Sequence, residues 1–149
     1  MMEREQLLKR EAEAWAALED AVDRVPEERR AEPGVVPDWS VHDLVWHCAW
    51  WARYSGDNLE RMAAGTYVHE SHDDKYWDAI NARIAKEGRG MTWDEVVKGA
   101  STARARVRNG LALLPGVTKE AEKDFAGETF EHYEEHTVEI ERFASFLGL

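Results

Sequence analysis

The chain predicts an all-α fold, an up-and-down four-helix bundle with one additional short helix between the second and third long helices. Three observations carry that expectation. Apolar residues recur every three or four positions over four long stretches; prolines, glycines and capping residues punctuate those stretches; and no segment alternates apolar and polar side chains as a strand would. No internal repeat divides the chain. Its 149 residues are read as one domain, 1–149, large enough to bury a core without covalent staples.

The first helix spans about Glu3 to Arg24, with Leu7, Leu8, Ala14, Trp15, Leu18 and Val22 on its apolar line and Pro26 just past its end. Pro33-Gly34-Val35-Val36-Pro37-Asp38 is a connector, punctuated by two prolines and a glycine. Ser40 opens the second helix, with Asp43 three positions on in a capping-box arrangement. That helix continues through Val41, Leu44, Val45, Cys48, Trp51 and Leu59 toward Gly65. Thr66 to Asp74 reads as loop, and the short helix follows from about Tyr76 to Lys86, with Trp77, Ile80 and Ile84 on one face. Gly88-Arg89-Gly90 is expected to stop it. Thr92 and Glu95 form a second capping box, opening a helix that carries Val96, Ala100, Val107, Leu111 and Leu114 and ends at Pro115-Gly116. A polar loop containing Gly127 leads to the last helix, about Thr129 to Leu147, whose apolar line is Tyr133, Ile140, Phe143, Ala144 and Leu147.

Charge narrows the partners. Asp plus Glu number 30 against 19 Lys plus Arg, a net charge of −11 that opposes a phosphate backbone, so no nucleic-acid partner is expected. The short basic runs, Arg29-Arg30 and Arg104/Arg106/Arg108, read as solvated helix faces. Cys48 is the single cysteine, so no intramolecular disulfide can form, and a reducing cytoplasm is the expected compartment. MMEREQLLKR mixes charges without the apolar stretch of a signal peptide. No apolar run approaches the roughly 20 residues of a membrane helix, so no membrane partner is expected.

The histidines supply the chemistry. His132 and His136 stand four apart in the last helix, so both imidazoles face one way and can grip one ion. Their face continues to Glu139 or Ile140, then Phe143 and Leu147, which sets the pair beside the buried stripe. His47 is one turn from Leu44 and from Trp51, both expected in the core, and a bundle interior is where facing helices assemble metal sites. His132-Tyr133-Glu134-Glu135-His136 also fits the inverted zinc-protease pattern with Glu135 as base, but only 13 residues follow His136 and the companion elements are lacking. A di-iron carboxylate bundle needs Glu-x-x-His units, and no histidine here has a glutamate three positions before it. His42 lies well around the helix from His47 and is expected at the surface, and His69 and His72 fall in an acidic loop. Cys48 is expected to be a small buried hydrophobe.

Pro37-Asp38-Trp39-Ser40-Val41-His42-Asp43 leading to His47 and Trp50-Trp51 resembles the W-S-x-x-D-x-x-x-H segment of the DinB-like superfamily. That group includes the metal-binding domain of mycothiol-dependent maleylpyruvate isomerase and the bacillithiol S-transferases. Gly127-Glu128-Thr129 followed by His132 to His136 is similar to that superfamily's closing histidine pair. Asp78 to Arg83, through Thr92 to Val96, resembles the sub-branch with the extra short helix, which includes colibactin self-protection proteins. The resemblance runs from Trp15 to Leu147. It implies a four-helix bundle whose metal, often nickel or zinc, is held by His47, His132 and His136, and it adds a low-molecular-weight thiol as a candidate cofactor.

Three neutral imidazoles leave a divalent ion its full charge and an open position, the pattern of catalytic sites, since structural zinc takes four protein ligands. Asp43, one turn before His47, is a candidate to orient its imidazole, or else serves only the Ser40 cap. Tyr133 and Glu135 are the further catalytic candidates. The leading expectation is a metal-dependent enzyme acting on a small molecule, of thiol S-transferase or hydrolase type. The competing one is a non-catalytic binding or sequestering protein, as in toxin resistance, using the same pocket, and a third is a bundle with an unused site. A homodimer is also expected, because Trp46 and Trp50 stand one turn apart on a second apolar face of the second helix.

Overall fold

The computed structural model describes residues 1–149 and contains helices α1 (Arg4–Asp23), α2 (Val41–Ala64), α3 (Asp74–Arg89), α4 (Trp93–Leu113), α5 (Lys119–Glu128) and α6 (Phe130–Phe146), with a short 3-10 turn at Glu27–Arg29. There are no strands; an isolated bridge between Val36 and Trp39 tightens the connector before α2. The long helices α1, α2, α4 and α6 form the four-helix bundle, in which α2 packs chiefly on α4 and α1 on α6. Helices α3 and α5 both lie against α2. No helix is long and apolar enough to cross a membrane.

Local chemistry sets the starts. Ser40 Oγ accepts from Asp43 N while Asp43 returns a bond to Ser40 N, and Thr92 with Glu95 does the same for α4. Gly65 ends α2 in the left-handed region at φ 74°, where glycine has no Cβ penalty.

Two segments depart from the sequence expectation. The polar loop around Gly127 is helix α5, opened by Thr118, whose side chain accepts from Ala121 N. Its buried side is only Ala121, Phe125 and Ala126, an apolar stripe too sparse to stand out among its charges. Helix α3 also runs through Gly88 to Arg89, because Gly88 serves here as a contact point. A Cβ on Gly88 would lie 2.9 Å from Trp46 Cδ1, and one on Gly99 of α4 would lie 2.6 Å from Trp46 Cζ3. The Trp46 indole thus fills a slot between α3 and α4 and is only 7 % exposed. The two-tryptophan surface patch behind the homodimer expectation is therefore absent. Trp50 alone stays half-exposed, its ring stacked on Tyr54.

His42, expected at the surface, is buried. Its Nε2 is 2.8 Å from the Gly88 carbonyl, so the close approach of α3 that Gly88 allows also covers this imidazole.

A buried ionic knot crosses the bundle. Glu11 of α1 is inaccessible to water, accepts two 2.7 Å bonds from Arg104 and a 2.8 Å bond from Arg108, both on α4, and accepts a 3.0 Å bond from the Tyr133 hydroxyl on α6. Burial pushes its pKa up, but the bonds and charge of Arg104, with bonds from Arg108 and Tyr133, outweigh that and hold it below the ordinary value. A depressed carboxylate stabilises the fold at pH values above its unfolded pKa and ceases to as pH falls through the folded one. Glu11→Gln strands two cations, and both guanidiniums keep some access to solvent. Stability in urea unfolding at pH 7 is expected to fall by about 3 kcal/mol, the lower end for a broken buried pair. An unchanged midpoint would show that the knot contributes nothing.

Candidate metal centre

Helix α6 supplies two imidazoles and α2 the third. The His132 and His136 rings lie 4.6 Å apart by centroids, as an i, i+4 pair must, and the His47 ring stands 4.8 Å from the first and 5.2 Å from the second. Their Nε2 atoms converge: His132 Nε2 is 3.0 Å from that of His47 and 2.9 Å from that of His136. One imidazole nitrogen offers either a proton or a lone pair, so His132 cannot satisfy both neighbours by ordinary hydrogen bonds.

Protonation does not relieve this crowding. Burial, then the charges of His132 and His136, push the His47 pKa down to about 2. Burial, then His136, push His132 down to about 3. Both rings are neutral at physiological pH, with lone pairs available. His136 is oriented by Glu139, whose carboxylate accepts a hydrogen bond from Nδ1–H and so leaves the Nε2 lone pair free. The Nδ1 atoms of His47 and His132 are buried without partners.

The donor set fits a divalent cation. Nitrogens held about 2.0–2.1 Å from one ion, at angles between square and tetrahedral, stand about 2.9–3.4 Å apart. The separations of 3.0 and 2.9 Å fall in that range, and the three ligand atoms lie within 4.8 Å of one another. Two of the three imidazole pairs thus already have the spacing of ligands on a single ion.

The centre opens onto a cleft of about 820 Å³, with His47 and His132 among its lining residues. Trp51, Tyr54 and Trp77 form an aromatic wall, and Asp124, Glu128 and Glu131 face it from α5 and the start of α6. Asp124 is fixed by Ser55 Oγ at 2.6 Å and Asn58 Nδ2 at 2.9 Å. Burial, then the charge of Asp124, raise the Glu128 pKa to about 8.

The other sequence candidates stand elsewhere. Asp43 is buried in the Ser40 cap, with Arg89 at 3.9 Å, and makes no hydrogen bond to His47. The Tyr133 hydroxyl is committed to Glu11 and its ring packs on Trp15 at 5.0 Å, on the core side of α6. Glu135 is exposed and does not line the cleft. His69 joins the outer rim of the cleft, whereas His72 stacks on Tyr76. Sequence reasoning missed Asp124 and Glu128 as site residues because α5 read as loop. Glu139, three residues past His136 and therefore over its ring, carried a usable signal.

Comparison with known proteins agrees with this architecture. No curated protein matches the chain. Among solved structures, an uncharacterised protein from Escherichia coli UTI89 is similar in fold, with a TM-score of 0.83 at 13% sequence identity, covering 100% of this chain and 96% of that one. The family model described as the DinB superfamily matches residues 12–140. The chain belongs to the DinB superfamily.

Proposed function

We propose that this protein is a metal-dependent enzyme acting on a small molecule, with a divalent ion, nickel or zinc, held by His47, His132 and His136. The observation that carries it is the convergence of three imidazoles, His47 and His136 buried and His132 half-buried, two of them kept neutral by burial, at the end of an open cleft. A bound divalent ion supplies Lewis acidity, which suits transfer to or from a low-molecular-weight thiol, or hydrolysis. The chain's own residues do the rest. Glu139 sets the His136 tautomer, the aromatic wall excludes water from one side of the cleft, and Glu128 holds a proton near neutral pH within reach of cleft contents. A non-catalytic binding protein is the second reading, favoured by the commitment of Asp43 and Tyr133 to structural bonds.

Elemental analysis of gently purified protein is expected to find about one divalent ion per chain. His132→Ala should lose it with helical content intact, His69→Ala should retain it, and Glu139→Gln should weaken affinity by about 10–100-fold. Wild-type protein that takes up neither nickel nor zinc would remove the proposal.

Turnover with thiol or hydrolysable substrates should vanish on chelation and return with metal. Activity that survives both chelation and His47→Ala would place the chemistry elsewhere. Metal uptake without turnover on any such substrate would favour the binding protein.

Acid should weaken the metal-free fold. His47 and His132 resist protonation when folded but accept protons near 6.5 when unfolded, so the unfolded state gains protons first. Stability present above about pH 6.5 is lost as pH falls below it, at up to about 1.4 kcal/mol per pH unit for each histidine. Urea midpoints between pH 7 and 5 measure this, and His47→Gln should flatten the slope. A slope unchanged by that variant would contradict the burial-driven shift.

A further inference from the structure

The cleft beside the three histidines is built for a particular ligand charge. Its aromatic wall is mutually braced: the Trp51 ring meets Trp77 at 5.8 Å and Tyr54 at 5.1 Å, and Trp51 Nε1 donates to Asn81 Oδ1 at 2.9 Å. These rings are therefore held rigidly while remaining part of the cleft surface. Ring faces carry negative quadrupole density and attract cations. Facing them, Asp124 is pinned by Ser55 and Asn58, and Glu128 makes neither a hydrogen bond nor an ion pair although it is half-buried. His47, 6 % exposed with its Nδ1 unpartnered, lines the inner end. The two lysines on the cleft rim, Lys119 and Lys123, are exposed and free to swing into solvent.

We propose that the cleft binds a small organic cation, an ammonium group carried on an apolar or aromatic body, with the ammonium between the aromatic wall and the carboxylates of α5 and the body directed toward the histidines. The raised pKa of Glu128 agrees with this: burial first, and then the neighbouring charge of Asp124, disfavour its ionised form, which a cation seated beside it would restore. An anionic ligand on this wall would meet Asp124 and Glu131 and would keep Glu128 protonated. The inference deepens the enzyme reading by naming its substrate class, and it rests on that reading only for the claim that the ligand is turned over.

Titration calorimetry on the full-length, metal-loaded protein tests it with three probes of similar bulk: benzyltrimethylammonium, benzyl alcohol and benzenesulfonate, an anion that coordinates divalent ions only weakly. The ammonium probe is expected to bind about tenfold or more tighter than benzyl alcohol, and benzenesulfonate should bind weakest. Glu128→Gln and Trp77→Leu should each weaken the ammonium probe several-fold while elemental analysis shows metal content unchanged, and circular dichroism checks that each variant folds. Glu141→Gln, on the exposed outside of α6, should change nothing. Equal or tighter binding of benzyl alcohol or benzenesulfonate would overturn the proposal, as would ammonium affinity untouched by Glu128→Gln. Ammonium binding to protein that takes up no metal would uphold the cation cleft and defeat the metalloenzyme reading. Metal uptake without ammonium preference would do the reverse.

Discussion

Glu11 has no access to water and still keeps its charge, and that carboxylate fixes how three helices are turned against one another. Its oxygens are shared among Arg104, Arg108 and Tyr133, so α1, α4 and α6 cannot rotate independently without stranding a charge or a hydroxyl. Tyr133 directly follows His132 in the chain. Pinning its hydroxyl on the core side leaves His132 turned about 100° away, toward α2, with His136 one turn above it. A hydrophobic contact could fill the same volume, but it would tolerate a helix rotation that separates the imidazoles.

The fold was legible where sequence periodicity and capping chemistry agreed. The Ser40–Asp43 and Thr92–Glu95 boxes mark the starts of α2 and α4, and the i, i+4 spacing of His132 and His136 put both imidazoles on one face. Legibility failed where a residue's role depended on its neighbour in space. Gly88 reads as a helix stop and is instead the floor under Trp46. His42 sits at an outward position on a helical wheel, but α3 closes over it. Helix α5 was hidden because its buried side is three small or isolated residues among charges, and with it went Asp124 and Glu128, the acidic side of the cleft.

The site divides its electrostatics along its length. At the inner end, burial suppresses protonation and keeps lone pairs available, which suits a cation that binds through nitrogen. Along the outer wall the same burial acts on carboxylates and favours their protonated forms until a compensating charge arrives. One physical cause, partial exclusion of water between α2, α5 and α6, therefore gives neutral bases at one end and reluctant acids at the other.

The slot that receives Trp46 also bears on how this sequence can drift. The indole occupies volume that α3 and α4 surrender at Gly88 and Gly99, so the three positions form one steric unit distributed over three helices. A side chain gained at either glycine is accommodated only when the ring at position 46 shrinks, and a smaller residue at 46 leaves a void that a methyl at 88 or 99 would fill. Among relatives these positions should therefore covary as a set, with large-small-small exchanged for small-large-small or small-small-large. Because α3 is also the helix that carries Trp77, drift in that set would re-aim the aromatic wall without altering any residue that lines it.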